Sequence, residues 1–257
     1  MSIYQHFRPE EKEFIDQVLN WKEYVLQSYS MKLTDFLDPR EQMIAKSVIG
    51  QQDEMIIKFF GGQPNTERKR MILCPDYLSL SEEDFEIALF EIKYPTKFTT
   101  ITHPKVLGSL MSLGIKRGKF GDILIHEDVV QFYVAKEIAS YVQMNLQSVG
   151  KVKISLIEKP FAEAIKILND WEEFNFTTPS LRLDAILSHS SKLSRQKAQI
   201  LIQQGLVKVN FRIIEQPSFE LQEGDLISAR GIGRIKLLEI GEKTKKDKWK
   251  IKVGKQK

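Results

Sequence analysis

Apolar side chains recur at helical spacing across residues 9–28, where Phe14, Val18, Trp21, Val25 and Leu26 line one side of the chain behind Glu10, Glu11 and Glu13. That spacing, with its acidic first turn, predicts an amphipathic helix. A second helix is predicted after Asp38-Pro39, with Asp as cap and Pro in the first turn, running through Met43, Ile44 and Val48 toward Gly50. Two short apolar runs, Met55 to Phe60 and Met71 to Cys74, flank Gly61, Gly62, Pro64 and Asn65 and read as a hairpin. Residues 1–75 thus form a first domain of helices plus a small sheet.

The pattern then alternates. Phe85 to Ile92 reads as a strand, His103 to Leu113 as a helix, Asp122 to His126 and Val129 to Val134 as a hairpin, Ala135 to Gln147 as a helix and Lys151 to Ile157 as a strand. The order βαββαβ predicts a ferredoxin-like domain over residues 76–158, of the kind used by RNA-recognition domains. Its first strand is acidic, however, with Glu86 and Glu91, and lacks the aromatic positions that stack bases, so RNA binding on that sheet face is not expected. Phe161, Ala164, Ile165, Leu168 and Trp171 then suggest one helix in a connector over residues 159–179. The fold class is α+β.

In the last third, Leu183, Ile186 and Leu187 predict the inner face of one short helix. Ser194 caps a second, whose Ala198, Leu201 and Ile202 face inward and which ends at Gly205. Val207-Lys208-Val209-Asn210, Gly224-Asp225-Leu226-Ile227 and Arg230-Gly231-Ile232-Gly233-Arg234 add short strands and turns, and Lys243 to Lys250 forms a basic hairpin or tail. Two helices on a small sheet would present Arg182, Lys192, Arg195 and Lys197 from adjacent turns, with Arg182 and Asp184 projecting away from the core.

Charge sharpens this picture. The 257-residue chain carries a net charge of +4, but residues 180–257 hold 17 Lys and Arg against 8 Asp and Glu, a net +9, which leaves −5 on residues 1–179. A local surplus of this size attracts polyanions and makes RNA the leading ligand. No apolar run is long enough for a membrane span and the N-terminus lacks a secretory pattern, so a cytoplasmic protein is expected. The single cysteine, Cys74, excludes an intramolecular disulfide and reads as a buried hydrophobe. The four histidines, His6, His103, His126 and His189, lack metal spacing, and neither metal nor cofactor is expected.

From about Ser180 to Ile240 these segments resemble, in order, the S4-type RNA-binding domain, or αL motif. One departure is Phe211, where many members have glycine, which leaves the turn type after Asn210 open. Upstream, Leu33 to Glu41 and Gly114 to Ile123 resemble the YlmH family, bacterial S4-domain proteins with a two-part N-terminal half. The resemblance implies association with the large (50S) ribosomal subunit in ribosome-associated quality control. There the C-terminal module would contact large-subunit rRNA and peptidyl-tRNA while the tailing factor RqcH extends the stalled chain.

On this basis the expected RNA-binding set is Arg182, Asp184, Lys192, Ser194, Arg195, Lys197, Lys208, Asn210, Arg230 and Arg234. Arg182 and Arg195 are expected to meet phosphate or ribose, Asp184 to orient an arginine, and Ser194 to act as a cap. Lys116, Arg117 and Lys119 could form a second RNA-facing loop, or an ordinary exposed one. S4-type domains also accompany pseudouridine synthases and RNA methyltransferases, so an RNA-modifying enzyme is the rival reading. It lacks support in the sequence, because Gly231-Ile232-Gly233 is not followed by a helix and Asp35 and Asp38 fit helix entry better than acid–base chemistry. A non-catalytic RNA-binding factor is therefore expected, and Arg195→Glu is its natural test.

Overall fold

A computed structural model describes residues 3–50, 54–166 and 171–256, and the chain divides into two compact units, residues 1–167 and 168–257. In the first unit, α1 (Lys12–Ser28) leads into β1 (Lys32–Leu37), α2 (Pro39–Ile49), β2 (Met55–Phe60) and β3 (Lys69–Pro75). Asp38 accepts from the Glu41 N–H and Glu41 answers to the Asp38 N–H, a reciprocal cap that fixes the start of α2 as the sequence predicts. The hairpin is real but belongs to a three-stranded antiparallel sheet of order β1-β3-β2. The first strand escapes pattern reading because its register shifts between Leu33 and Phe36, which breaks the inside–outside alternation.

β4 (Ile87–Lys93), α3 (His103–Met111), β5 (Phe120–His126), β6 (Val129–Ala135) and α4 (Ala139–Asn145) follow. A small hairpin of β7 (Ser148–Val149) and β8 (Val152–Lys153) precedes β9 (Ser155–Lys159). The four-stranded sheet has the order β5-β6-β4-β9, all antiparallel, which is the ferredoxin-like arrangement.

Both faces of this sheet are covered. Ala88, Phe90 and Ile92 of β4 join Val106, Leu110 and Val142 of the helices in one core. Ile87 and Leu89 of the same strand join Tyr133, Phe36, Ile72 and Cys74 in another, against the first sheet. β3 divides likewise, with Met71 and Leu73 facing α1 and α2 and Ile72 and Cys74 facing the second sheet. The unit is therefore four layers, helix, sheet, sheet, helix, and period-two alternation within each strand is what fills three cores at once. Arg68 and Arg70, both buried, donate to the carbonyls of Phe36 and Thr34 at 2.6 and 2.7 Å across this packing. Cys74 is fully buried, and burial pushes its thiol up, as expected for a core side chain.

Among the described residues the segment after β9 holds a single short helical turn, Phe161–Glu163, and no longer helix running on to Trp171. Phe161, Ala164 and Ile165 pack on the sheet face beside Tyr133, and Gln131 pins the backbone by accepting from the Ile165 N–H and donating to the Glu163 carbonyl. Leu168 lies outside the described residues. Trp171 opens β10 (Trp171–Thr178), an edge strand of the second unit, followed by α5 (Leu183–Ser191), α6 (Arg195–Gln203), β11 (Val207–Val209), β12 (Arg212–Ile213), β13 (Leu226–Ala229), β14 (Gly233–Lys243) and β15 (Trp249–Gln256). The six-stranded sheet has the order β10-β15-β14-β13-β11-β12. Leu183, Ile186, Leu187, Ala198 and Ile202 of the helix pair pack on Val207, Ile227, Ile235, Leu237 and Val253 of the sheet. Lys243 to Lys250 is the turn end of the β14–β15 hairpin, with Lys243 set over the Trp249 ring. Among the described residues no helix is long and apolar enough to cross a membrane.

Candidate RNA-binding site

The site is built around a buried anion. Asp184, in the first turn of α5, is 0% exposed, so it does not project outward as its position in the pattern suggests. Its carboxylate accepts from Nε and Nη2 of Arg182 at 3.0 and 3.1 Å, and from Nε and Nη2 of Arg195 at 3.0 and 3.3 Å. Gln199, one turn beyond Arg195 on α6, adds a fifth donor at 2.8 Å. Burial alone would raise the Asp184 carboxyl, but these bonds, from Arg182, Arg195 and Gln199, hold it well below the usual carboxylate range.

The consequence lies on the surface. The Arg182 and Arg195 side chains stay 36% and 50% exposed, and each guanidinium is gripped along its Nε–Nη2 edge. Among the described residues Nη1 of each has no protein partner. Two planar cations are thus fixed in orientation with donors still open to an oxyanion. Lys192 and Lys197 flank them, both exposed. Lys192 holds the left-handed C-cap of α5 at φ 54°, while Ser194 caps α6 by accepting from the Lys197 N–H.

Other expected residues divide. Lys208 on β11 and Arg230 at the β13–β14 turn are exposed. Asn210 instead holds the fold together, since its Nδ2 donates to Asp225 at 2.7 Å and its Oδ1 accepts from the Leu226 N–H at 3.0 Å. Asn210 and Phe211 both have positive φ, 49° and 68°, so the turn forms with no glycine, and Arg234 lies over the Phe211 ring at 5.9 Å.

The second loop does not present three cations. Arg117 donates to the carbonyls of Phe120 and Gly121, and burial with Arg68 nearby pulls its guanidinium down to about 10. Lys119 is ion-paired to Asp35 and Glu137, and only Lys116 of the three is exposed. Gln199 is the member that sequence reasoning leaves without a role, although its place one turn from Arg195 carries the signal.

A basic, helix-borne face on a small antiparallel sheet, with the arginines anchored from below, defines an S4-domain protein, and residues 181–227 match the S4 domain family model. Residues 10–78 match the model "YlmH, N-terminal", and residues 81–163 the model "Putative RNA-binding domain in YlmH". The chain is 47% identical over 256 residues, covering 100% of its length and 99% of the relative's, to "Ribosome-associated protein quality control protein P2" of Bacillus subtilis (strain 168). A solved structure, "Cell division protein ylmH from Streptococcus pneumoniae", is similar at 36% identity and a TM-score of 0.55, covering 64% of this chain and all of that one. The chain belongs to the YlmH family.

Proposed function

We propose that this protein is a non-catalytic RNA-binding factor that docks on the large ribosomal subunit and works in ribosome-associated quality control. Its C-terminal unit meets rRNA and peptidyl-tRNA through Arg182, Arg195, Lys192, Lys197, Lys208 and Arg230, with Asp184, Ser194 and Gln199 as positioning residues and Arg234 braced against Phe211. The observation that carries this reading is the Asp184 clamp. A buried carboxylate that fixes two exposed guanidinium groups lowers the entropy lost when they meet phosphate, so recognition follows backbone shape and charge rather than base sequence. The name of the Bacillus subtilis relative, identical at nearly half of all positions, supports the ribosomal setting. Binding acts by favouring one tRNA–subunit arrangement over others, and RqcH would extend the nascent chain on the particle so held. Co-sedimentation with large subunits that do or do not carry peptidyl-tRNA tests the proposal. Stronger retention on the occupied subunits is expected, and equal absence from both would overturn it.

A further inference from the structure

The first unit is net acidic, yet its acidity is uneven. No Asp or Glu occurs between Glu91 and Asp122, nor between Glu137 and Glu158, and the two acid-free stretches meet in space. They are the β4–α3 loop with α3, and the β7–β8 hairpin. The Gly150 N–H of that hairpin donates to Ser109 Oγ of α3 at 3.2 Å. Lys105 lies one helical turn before Ser109 on the same face, Lys151 follows Gly150 directly, and Lys153 comes two residues later on β8. Lys105, Lys151 and Lys153 are exposed, and among the described residues none has a carboxylate partner. Lys105 even occupies the first turn of α3, where the helix dipole disfavours a cation, and no acidic residue offsets it.

The loop that enters α3 carries an aromatic ring into solvent. Tyr94 and Ile101 anchor its two ends in the core below, and the Phe98 N–H donates to the Pro95 carbonyl at 3.1 Å to close a turn between them. Phe98 is 88% exposed, beside exposed Lys97. A phenylalanine held out of the core on an anchored turn, beside Lys97 and in the loop that leads into the first turn of α3 where Lys105 stands, adds almost no buried area to the isolated fold. It is the combination that receives a splayed base between two phosphates. The usual base-stacking face of a ferredoxin-like sheet is closed here, because Leu89 and Tyr133 on that face lie under the first sheet.

We propose that Phe98 is a stacking platform for an unpaired base of single-stranded RNA, with Lys97, Lys105, Lys151 and Lys153 on the flanking phosphates. This site is separate from the arginine clamp, in the other unit of the chain, and names where the middle domain would hold RNA.

The test uses the full-length protein and a fluorescein-labelled 12-nucleotide oligouridylate, followed by anisotropy across a salt series. Phe98→Ala, an exposed change whose folding is checked by circular dichroism, should weaken binding about tenfold and leave the salt slope unchanged, while Phe98→Trp restores it. Lys97→Glu with Lys105→Glu should lower the slope by about 1.4. A 4-thiouridine oligomer should cross-link to the peptide bearing Phe98. Wild-type affinity in Phe98→Ala, no binding of the oligomer by wild type, or adducts confined to residues 180–234 would overturn the proposal. The double variant Lys192→Glu/Lys197→Glu separates the two sites. If it abolishes binding while Phe98→Ala has no effect, the loop site fails and the clamp stands. The opposite pattern removes the clamp and keeps the loop.

Discussion

Asp184 and Arg195 lie eleven residues apart on different helices, yet the arginine places both Nε and Nη2 on a carboxylate that solvent does not reach. The pair ties the start of α5 to the start of α6 and orients the exposed guanidinium. Asp184→Ala should therefore destabilise the C-terminal unit by about 1–3 kcal/mol, limited because both arginines can rehydrate, and weaken RNA binding without removing a single cation. Because the carboxyl is held below its ordinary range when folded, its contribution is complete above that range and is lost as pH falls through the folded value. Acid titration of the wild type should show a loss of stability at low pH that is shallower in Asp184→Ala. Parallel acid curves would refute the clamp.

Arg195→Glu looks like a clean surface reversal in the sequence and is not one in the structure. It sets a second carboxylate against the buried Asp184 and should cost about 3–5 kcal/mol, so lost RNA binding in that variant would report unfolding. Arg195→Lys keeps the charge but not the fork, and should remain folded with a loss of about 1 kcal/mol in urea denaturation.

Lys192 separates charge from backbone strain. At φ 54° it occupies a conformation that suits glycine, so Lys192→Gly should stabilise the unit by up to about 1 kcal/mol while weakening RNA binding through the lost cation. A variant that gains stability and keeps full affinity would take Lys192 out of the contact set.

In the first unit, Gly62 has φ 100°, and a Cβ there would lie 2.1 Å from the Tyr133 ring, whose position is fixed between the two sheets. Gly62→Ala should cost at least about 2 kcal/mol, read as a lower urea midpoint, and leave the arginine clamp untouched.

Much of this architecture is legible in the amino-acid pattern. The helices α1 and α2, the βαββαβ order and the helix pair around Ser194 show through periodicity and caps, which are local signals. β10 escapes such a reading although Phe174, Phe176 and Thr178 alternate with Glu173, Asn175 and Thr177, because its partner, β15, lies at the far end of the unit. The site follows the same rule. Spacing is enough to name the cations Arg182, Arg195, Lys192 and Lys197, but the burial of Asp184, the inward turn of Asn210 and the ion pairs of Lys119 depend on contacts between residues distant in sequence. The acidity of the middle sheet's first strand already marks that face as unsuited to RNA, whereas its burial under the first sheet is the stronger reason.

On the proposed function, a pre-oriented cationic face on the C-terminal unit carries ribosome docking. The most direct measurement compares wild type with Lys192→Glu/Lys197→Glu in co-sedimentation with purified large subunits over a range of salt. Both lysines are exposed, and among the described residues neither has an ion pair to lose. Wild-type binding should fall steeply with salt, and the double variant, still folded, should lose affinity at every salt with a slope reduced by about 2. Equal affinity and equal slope for the two proteins would contradict it.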